Sequence, residues 1–122
     1  MTASEWVVVF YRDARGGRPV QAFIESLDER TQAKLQRAIV ELQARNVRAT
    51  FPLVRHIEGK LWELREENRA NIYRVFYFFF TGRRIVLVHG FQKKSQKTPR
   101  REIETALRRM QEFVQEEGGL NE

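Results

Sequence analysis

Three runs of strand-forming residues, Lys60 to Glu66, Asn71 to Phe80 and Arg84 to Phe91, are separated only by Asn68-Arg69 and Thr81-Gly82-Arg83. Connections this short fold consecutive strands back on one another, because parallel neighbours need a crossover of roughly a dozen residues or more. An antiparallel meander is therefore the expected centre of the fold. Upstream, Glu5 to Tyr11 (EWVVVFY) reads as a further strand. Pro19 suits the first turn of a helix in which Val20, Phe23, Ile24 and Leu27 line one face. Asp28 can cap a second helix, carrying Leu35, Ala38, Ile39 and Leu42 to about Arg45. Residues 46 to 59, with Pro52 and Gly59, read as a connector. A last helix starts at Thr98-Pro99 and is expected to bury Ile103, Ala106, Leu107, Met110 and Val114.

This order implies an α+β domain. Its small antiparallel sheet is the N-terminal strand plus the three-stranded meander, with two N-terminal helices on one face and one C-terminal helix. The remaining face is either covered by the last helix or used for something. A length of 122 residues suits one such domain over residues 1–122.

Composition excludes several kinds of chemistry. There is no cysteine, so disulfides and thiolate metal sites are out. The two histidines, His56 and His89, stand far apart with no cluster of carboxylates, so no metal is expected. His89, among Val86, Leu87, Val88 and Phe91, reads as a satisfied core imidazole sooner than as a catalyst. The apolar run Val75 to Phe80 falls far short of the roughly 20 residues of a membrane span. The N-terminus lacks the layout of a secretory signal, so a cytoplasmic protein is expected. No Gly-rich phosphate loop, nucleophile elbow or zinc-helix motif is present, and no cofactor is implied. Any chemistry would run on Arg and Lys.

The net charge is +6, and its placement matters more than its size. Residues 83 to 109 hold nine Lys and Arg against Glu102 and Glu104, while the rest of the chain holds thirteen bases and fourteen acids. Within the segment, Lys93, Lys94, Lys97, Arg100 and Arg101 crowd a helix start, where the backbone dipole already favours anions. One reading is a solubilising face. The other is a polyanion-binding surface, which clustering at a helix N-terminus favours.

Arg74 lies within an apolar strand, and alternation puts it on the side of Phe76, Phe78 and Phe80. A guanidinium keeps its proton, so at that depth it needs an anion or water. With Asn68-Arg69 as a two-residue turn, Glu63 falls opposite Arg74, and Arg65 lies on the same face. Arg74 is then either half of a sheet ion pair or a phosphate clamp. The two are compatible if Glu63 holds Arg74 until a ligand arrives. Lys93, Lys94 and Lys97 follow the next strand, whose exit a meander brings back beside Arg74. Phe91 either packs in the core or offers a plane on which a base stacks.

The string GKLWELREENRANIYRVFYFFFTGRRIVLVHGFQKKSQKTPRREIETALRR, with WVVVFYRDARGGRPVQAFIESL before it, resembles the RelE/ParE superfamily of bacterial toxins, most closely its phage-related HigB-like branch. The markers are Leu-Trp-Glu-Leu-Arg at 61 to 65, Tyr73-Arg74, and the run from His89-Gly90-Phe91 to Thr98-Pro99. The resemblance implies a RelE-like fold and the toxin of a type II toxin–antitoxin pair. Such a toxin cuts messenger RNA in the ribosome without a metal, leaving a 2′,3′-cyclic phosphate and a 5′-hydroxyl. It implies catalytic roles for Arg74 on the scissile phosphate and for Lys94 as a second stabilising base, with Lys93 beside it. RNA contacts would come from Arg65, Phe91, Lys97, Arg100 and Arg101. Glu63 and Leu61 stand where some members carry lysines, and Arg100 stands near where some carry a tyrosine, so the proton-transfer groups stay open. The implied partners are the message on the ribosome and a cognate antitoxin, in this branch usually a helix-turn-helix DNA-binding protein. A gyrase-binding toxin of the ParE type and a non-catalytic RNA-binding module are the alternatives.

Overall fold

The computed structural model describes residues 5–95 and 97–118. Its elements are β1 (Val7–Phe10), α1 (Pro19–Glu25), α2 (Glu29–Arg45), a short 3₁₀ turn (Asn46–Arg48), β2 (Val54–Glu58), β3 (Leu61–Asn68), β4 (Asn71–Phe80), β5 (Arg84–Lys93) and α3 (Arg100–Gly118). The five strands form one sheet in the order β1-β5-β4-β3-β2.

The α+β class and the meander are as expected, with three differences. First, the sheet is mixed, because β1 joins β5 in parallel through the crossover that α1 and α2 provide. Second, part of the expected connector is strand β2, hairpinned to β3 around Gly59, whose φ of 57° suits a tight turn. Third, the β3–β4 turn is Arg69-Ala70, since Asn68 pairs with Asn71. Arg65 therefore lies opposite Arg74, and Glu63 lies opposite Phe76.

Each face of the sheet has its own core. Leu64, Val75, Tyr77, Ile85 and Leu87 pack against Val20 and Ile24 of α1 and Leu35, Ile39 and Leu42 of α2. Asp28 caps α2 as anticipated, its Oδ1 accepting from Thr31 N at 2.8 Å. On the opposite face Leu61, Phe76, Phe78, Val86 and Val88 pack against Ala106, Ile103, Leu107 and Met110 of α3. Val114 was expected inside and is instead 40% exposed, and the neighbouring Phe113 packs on Phe78 and Phe80 in its place.

Gly90 shows how closely α1 seats on β5. A Cβ there would lie 2.6 Å from the Phe23 ring. Gly90→Ala should therefore destabilise the fold by about 1–3 kcal/mol through overpacking, read as a lower denaturation midpoint. An unchanged midpoint would mean that the ring moves aside freely.

Candidate functional site

Strand pairing decides which charges meet. The face under α3 carries Leu61, Glu63, Arg65 and Glu67 of β3 and Ile72, Arg74, Phe76, Phe78 and Phe80 of β4. On β5, Val86 pairs with Phe78, but the register shifts between Phe76 and Tyr77, so that His89, Phe91 and Lys93 pair with Phe76, Arg74 and Ile72. Unbroken alternation from Val86 would have presented Lys94. The bulge presents Lys93 instead, the kind of re-aiming for which bulges recur beside functional sites.

α3 covers the Phe76–Phe80 end of this face, while its far end holds a polar cluster. Glu63 is 0% exposed and Arg74 1% exposed. Around the Glu63 carboxylate lie Arg55 Nη2 at 2.9 Å, Arg74 Nε at 3.5 Å and Arg65 Nε at 3.9 Å. Arg74 also donates from Nη1 to the Tyr73 carbonyl at 2.9 Å, and from Nη2 to Glu67 Oε2 at 3.4 Å. Glu67 lies 3.7 Å from Arg65 Nη2 and is half exposed, at the mouth of the cluster. Lys93 completes the group at 4% exposure. Burial pulls its ammonium below the ordinary lysine pKa, and Arg74 adds to that while Glu63 opposes it.

These contacts are close but poorly aligned. Neither Glu63 oxygen, nor Nε of Arg65 or Arg74, has a hydrogen bond of good geometry. Four cations (Arg55, Arg65, Arg74 and Lys93) thus surround two carboxylates, with guanidinium N–H groups still able to donate. The arrangement can accept an anion with two or three donors, such as a phosphodiester. Among the described residues, no three His, Cys, Asp or Glu side chains gather closely enough to hold a metal ion.

Of the residues singled out from sequence, Arg74, Arg65 and Lys93 come together. Lys93 is the last residue of β5, not part of the loop beyond it. Lys94 and Lys97 lie exposed in the bend that follows. Arg100 and Arg101 open α3, but Arg100 is held by Glu58, Nη1 to Oε1 at 2.7 Å, which partly neutralises the crowded helix start. Phe91 is 7% exposed and packs edge-to-face on Phe76 at 5.1 Å, so it is core and offers no plane to a base. The sequence reading missed Arg55, because it missed β2, and Glu67. The Gly59 turn between Ile57-Glu58 and Leu61-Trp62 was the available signal.

His89 has a positioning task. Its Nε2 is 2.6 Å from Glu102 Oε1, and Arg109 Nη1 approaches Nδ1 at 3.2 Å while also donating to the Val88 carbonyl at 2.9 Å. Arginine can only donate, so Nδ1 accepts, Nε2–H donates to Glu102, and the ring is neutral. Burial holds its pKa below the ordinary value, with Glu102 opposing and Arg109 reinforcing. The unfolded chain thus takes up a proton more readily than the fold. This stability is present above the ordinary histidine pKa of about 6.5 and is lost as pH falls from there towards the folded value. Melting curves should show wild type losing more stability than His89→Gln below about pH 6.5. Parallel pH profiles would rule out this latch between β5 and α3.

The fold is a small mixed sheet with one polar, cation-rich corner. The chain belongs to the phage-derived Gp49-like family, whose model matches residues 22–111 and so includes every member of the cluster. This agrees with the resemblance to the phage-related HigB-like branch. The chain is 35% identical over 106 residues to the "Probable endoribonuclease HigB1" of Mycobacterium tuberculosis, in strains CDC 1551 / Oshkosh and ATCC 25618 / H37Rv, across 82% of this chain and 78% of each relative. No helix among the described residues is long and apolar enough to cross a membrane.

Proposed function

We propose that this protein is the toxin of a type II toxin–antitoxin pair, an endoribonuclease that cuts messenger RNA on the cytoplasmic ribosome without a metal. The observation that carries this reading is the cationic surplus of the partly buried cluster, four bases around two carboxylates on one sheet face. In this mechanism the scissile phosphate displaces the Glu67 carboxylate from Arg74 and Arg65, the one carboxylate of the cluster that reaches solvent. The substrate's 2′-oxygen attacks phosphorus and the P–O5′ bond breaks, giving a 2′,3′-cyclic phosphate and a 5′-hydroxyl. Arg74 and Arg65 stabilise the charge that builds on the non-bridging oxygens. Lys93, whose hold on its proton burial weakens, is the group suited to one of the two proton transfers. Lys94, Lys97 and Arg101, exposed on the approach, hold flanking phosphates. Ribosomal positioning of the message supplies alignment. The toxin–antitoxin family carries a cognate antitoxin, which we take to be a helix-turn-helix DNA-binding protein.

Purified protein added to a translating extract tests this. Primer extension should reveal new message ends, and chelating agents that leave the ribosome intact should not protect the message. Intact messages together with poisoned gyrase would assign the chain to the gyrase-binding arm instead.

A further inference from the structure

An exposed aromatic ring stands near the cluster, on the loop that precedes β2. Phe51 is 63% exposed, so it contributes little to either core. One side of its ring is covered by the Arg65 guanidinium, whose carbon lies 4.8 Å from the ring centroid. Arg65 is the residue opposite Arg74 in the strand pairing. The backbone fixes this neighbourhood, because Arg65 N donates to the Leu53 carbonyl at 2.9 Å and so ties the loop to β3. An exposed ring therefore stands one guanidinium away from the cluster, beside the mouth that Glu67 occupies.

The cleft next to this ring, about 580 Å³, is charged in the opposite sense to the cluster. Apart from Arg65 and Glu67, which it shares with the cluster, its charged lining is Glu41 and Glu66 against Arg45. Such a surface disfavours a phosphate and suits a neutral ring, and its carboxylates accept hydrogen bonds from exocyclic amines. The two halves are thus sorted by charge, with backbone anion to the Arg74 side and base to the Phe51 side.

We infer that Phe51 is the stacking platform for a nucleobase next to the phosphate held by Arg74 and Arg65, and that the cleft beside it favours bases bearing an exocyclic amine over uracil. This inference rests on the RNA-cleaving reading of the same site, and it supplies the stacking plane that Phe91, buried in the core, does not. Aromatic rings bind single-stranded RNA in this way because every base has a π-face, and a guanidinium behind the ring adds to the surface.

The test uses short single-stranded oligoribonucleotides, each carrying one 2-aminopurine, a base with an exocyclic amine whose fluorescence falls on stacking. Wild type and Phe51→Tyr should quench one position of the set, and Phe51→Ala should bind about tenfold more weakly and leave the fluorescence high. Removing the base at the quenched position should make wild type and Phe51→Ala bind equally, and uracil there should bind wild type more weakly than adenine. Melting temperature should not change in Phe51→Ala, which separates stacking from folding, and recovery of quenching in Phe51→Tyr does so a second time. Equal quenching and affinity in wild type and Phe51→Ala would overturn the inference, as would a wild type that binds no oligonucleotide. The outcome is distinct from that of the nuclease reading. A wild type that quenches but cuts no message keeps the platform and loses the nuclease, whereas message cutting unaffected in extent and position by Phe51→Ala keeps the nuclease and loses the platform.

Discussion

Arg74→Ala should lower message cleavage by about 100- to 1000-fold, the usual effect of deleting one donor that stabilises developing negative charge. Arg74→Lys should recover only part of the loss, because an ammonium keeps the charge but not the planar fork that addresses two phosphate oxygens together. The fold should survive either change. Glu63 retains Arg55 at 2.9 Å and Arg65 at 3.9 Å, so removing Arg74 does not leave its buried carboxylate uncompensated. Primer extension in a translating extract measures the cleavage, and a thermal melt of the same preparations controls for folding. Cleavage that persists at wild-type level in a folded Arg74→Ala protein would remove the phosphate clamp. Arg74 would then be only the structural ion pair that its 1% exposure also allows.

How much of this was legible in advance depended on local regularity. Asp28 and Arg45 bound α2 where expected, because its apolar residues repeat at helical spacing and its cap is a residue whose side chain reaches the first-turn N–H groups. Strand β4 also ended where its sequence said, bounded by turn residues at both ends. Strand β2 did not show. In Val54-Arg55-His56-Ile57-Glu58 the apolar residues are three apart, and the register shift between His56 and Glu58 breaks the period of two that marks a strand. With β2 went Arg55, the guanidinium nearest Glu63. The contest between Lys93 and Lys94 was decided in the same manner. A pattern read with a strict period cannot anticipate an extra residue, and the bulge at Val88 turns the outer half of β5 over. The turn position, off by one residue, moved Glu63 from opposite Arg74 to its diagonal. Arg65, Arg74 and Lys93 of the candidate cluster were therefore visible as residue types, but Arg55 was not. The cluster's register was settled by two bulges and a turn, which reflect pairing between strands rather than composition within them.

Glu63→Gln should destabilise the protein by about 3–5 kcal/mol, the usual result of removing one partner from a buried ionic group. The substitution is nearly isosteric, so it leaves no cavity. It strands Arg55, Arg65, Arg74 and Lys93 on one sheet face with only Glu67 to balance them. Glu67→Gln should cost far less, because that carboxylate is 54% exposed and water already screens it. The loss in Glu63→Gln should also respond to anions. If the cluster needs negative charge, added phosphate binds the folded variant and raises its midpoint, increasingly with concentration, by the ordinary linkage of ligand to stability. Wild type, with Glu63 in place, should respond less. Denaturant titrations of the two proteins with phosphate, against chloride at matched ionic strength, separate this specific rescue from screening. A Glu63→Gln protein as stable as wild type and indifferent to phosphate would mean that the four cations tolerate one another without a counterion. The electrostatic demand that we assign to the substrate's backbone would then not exist.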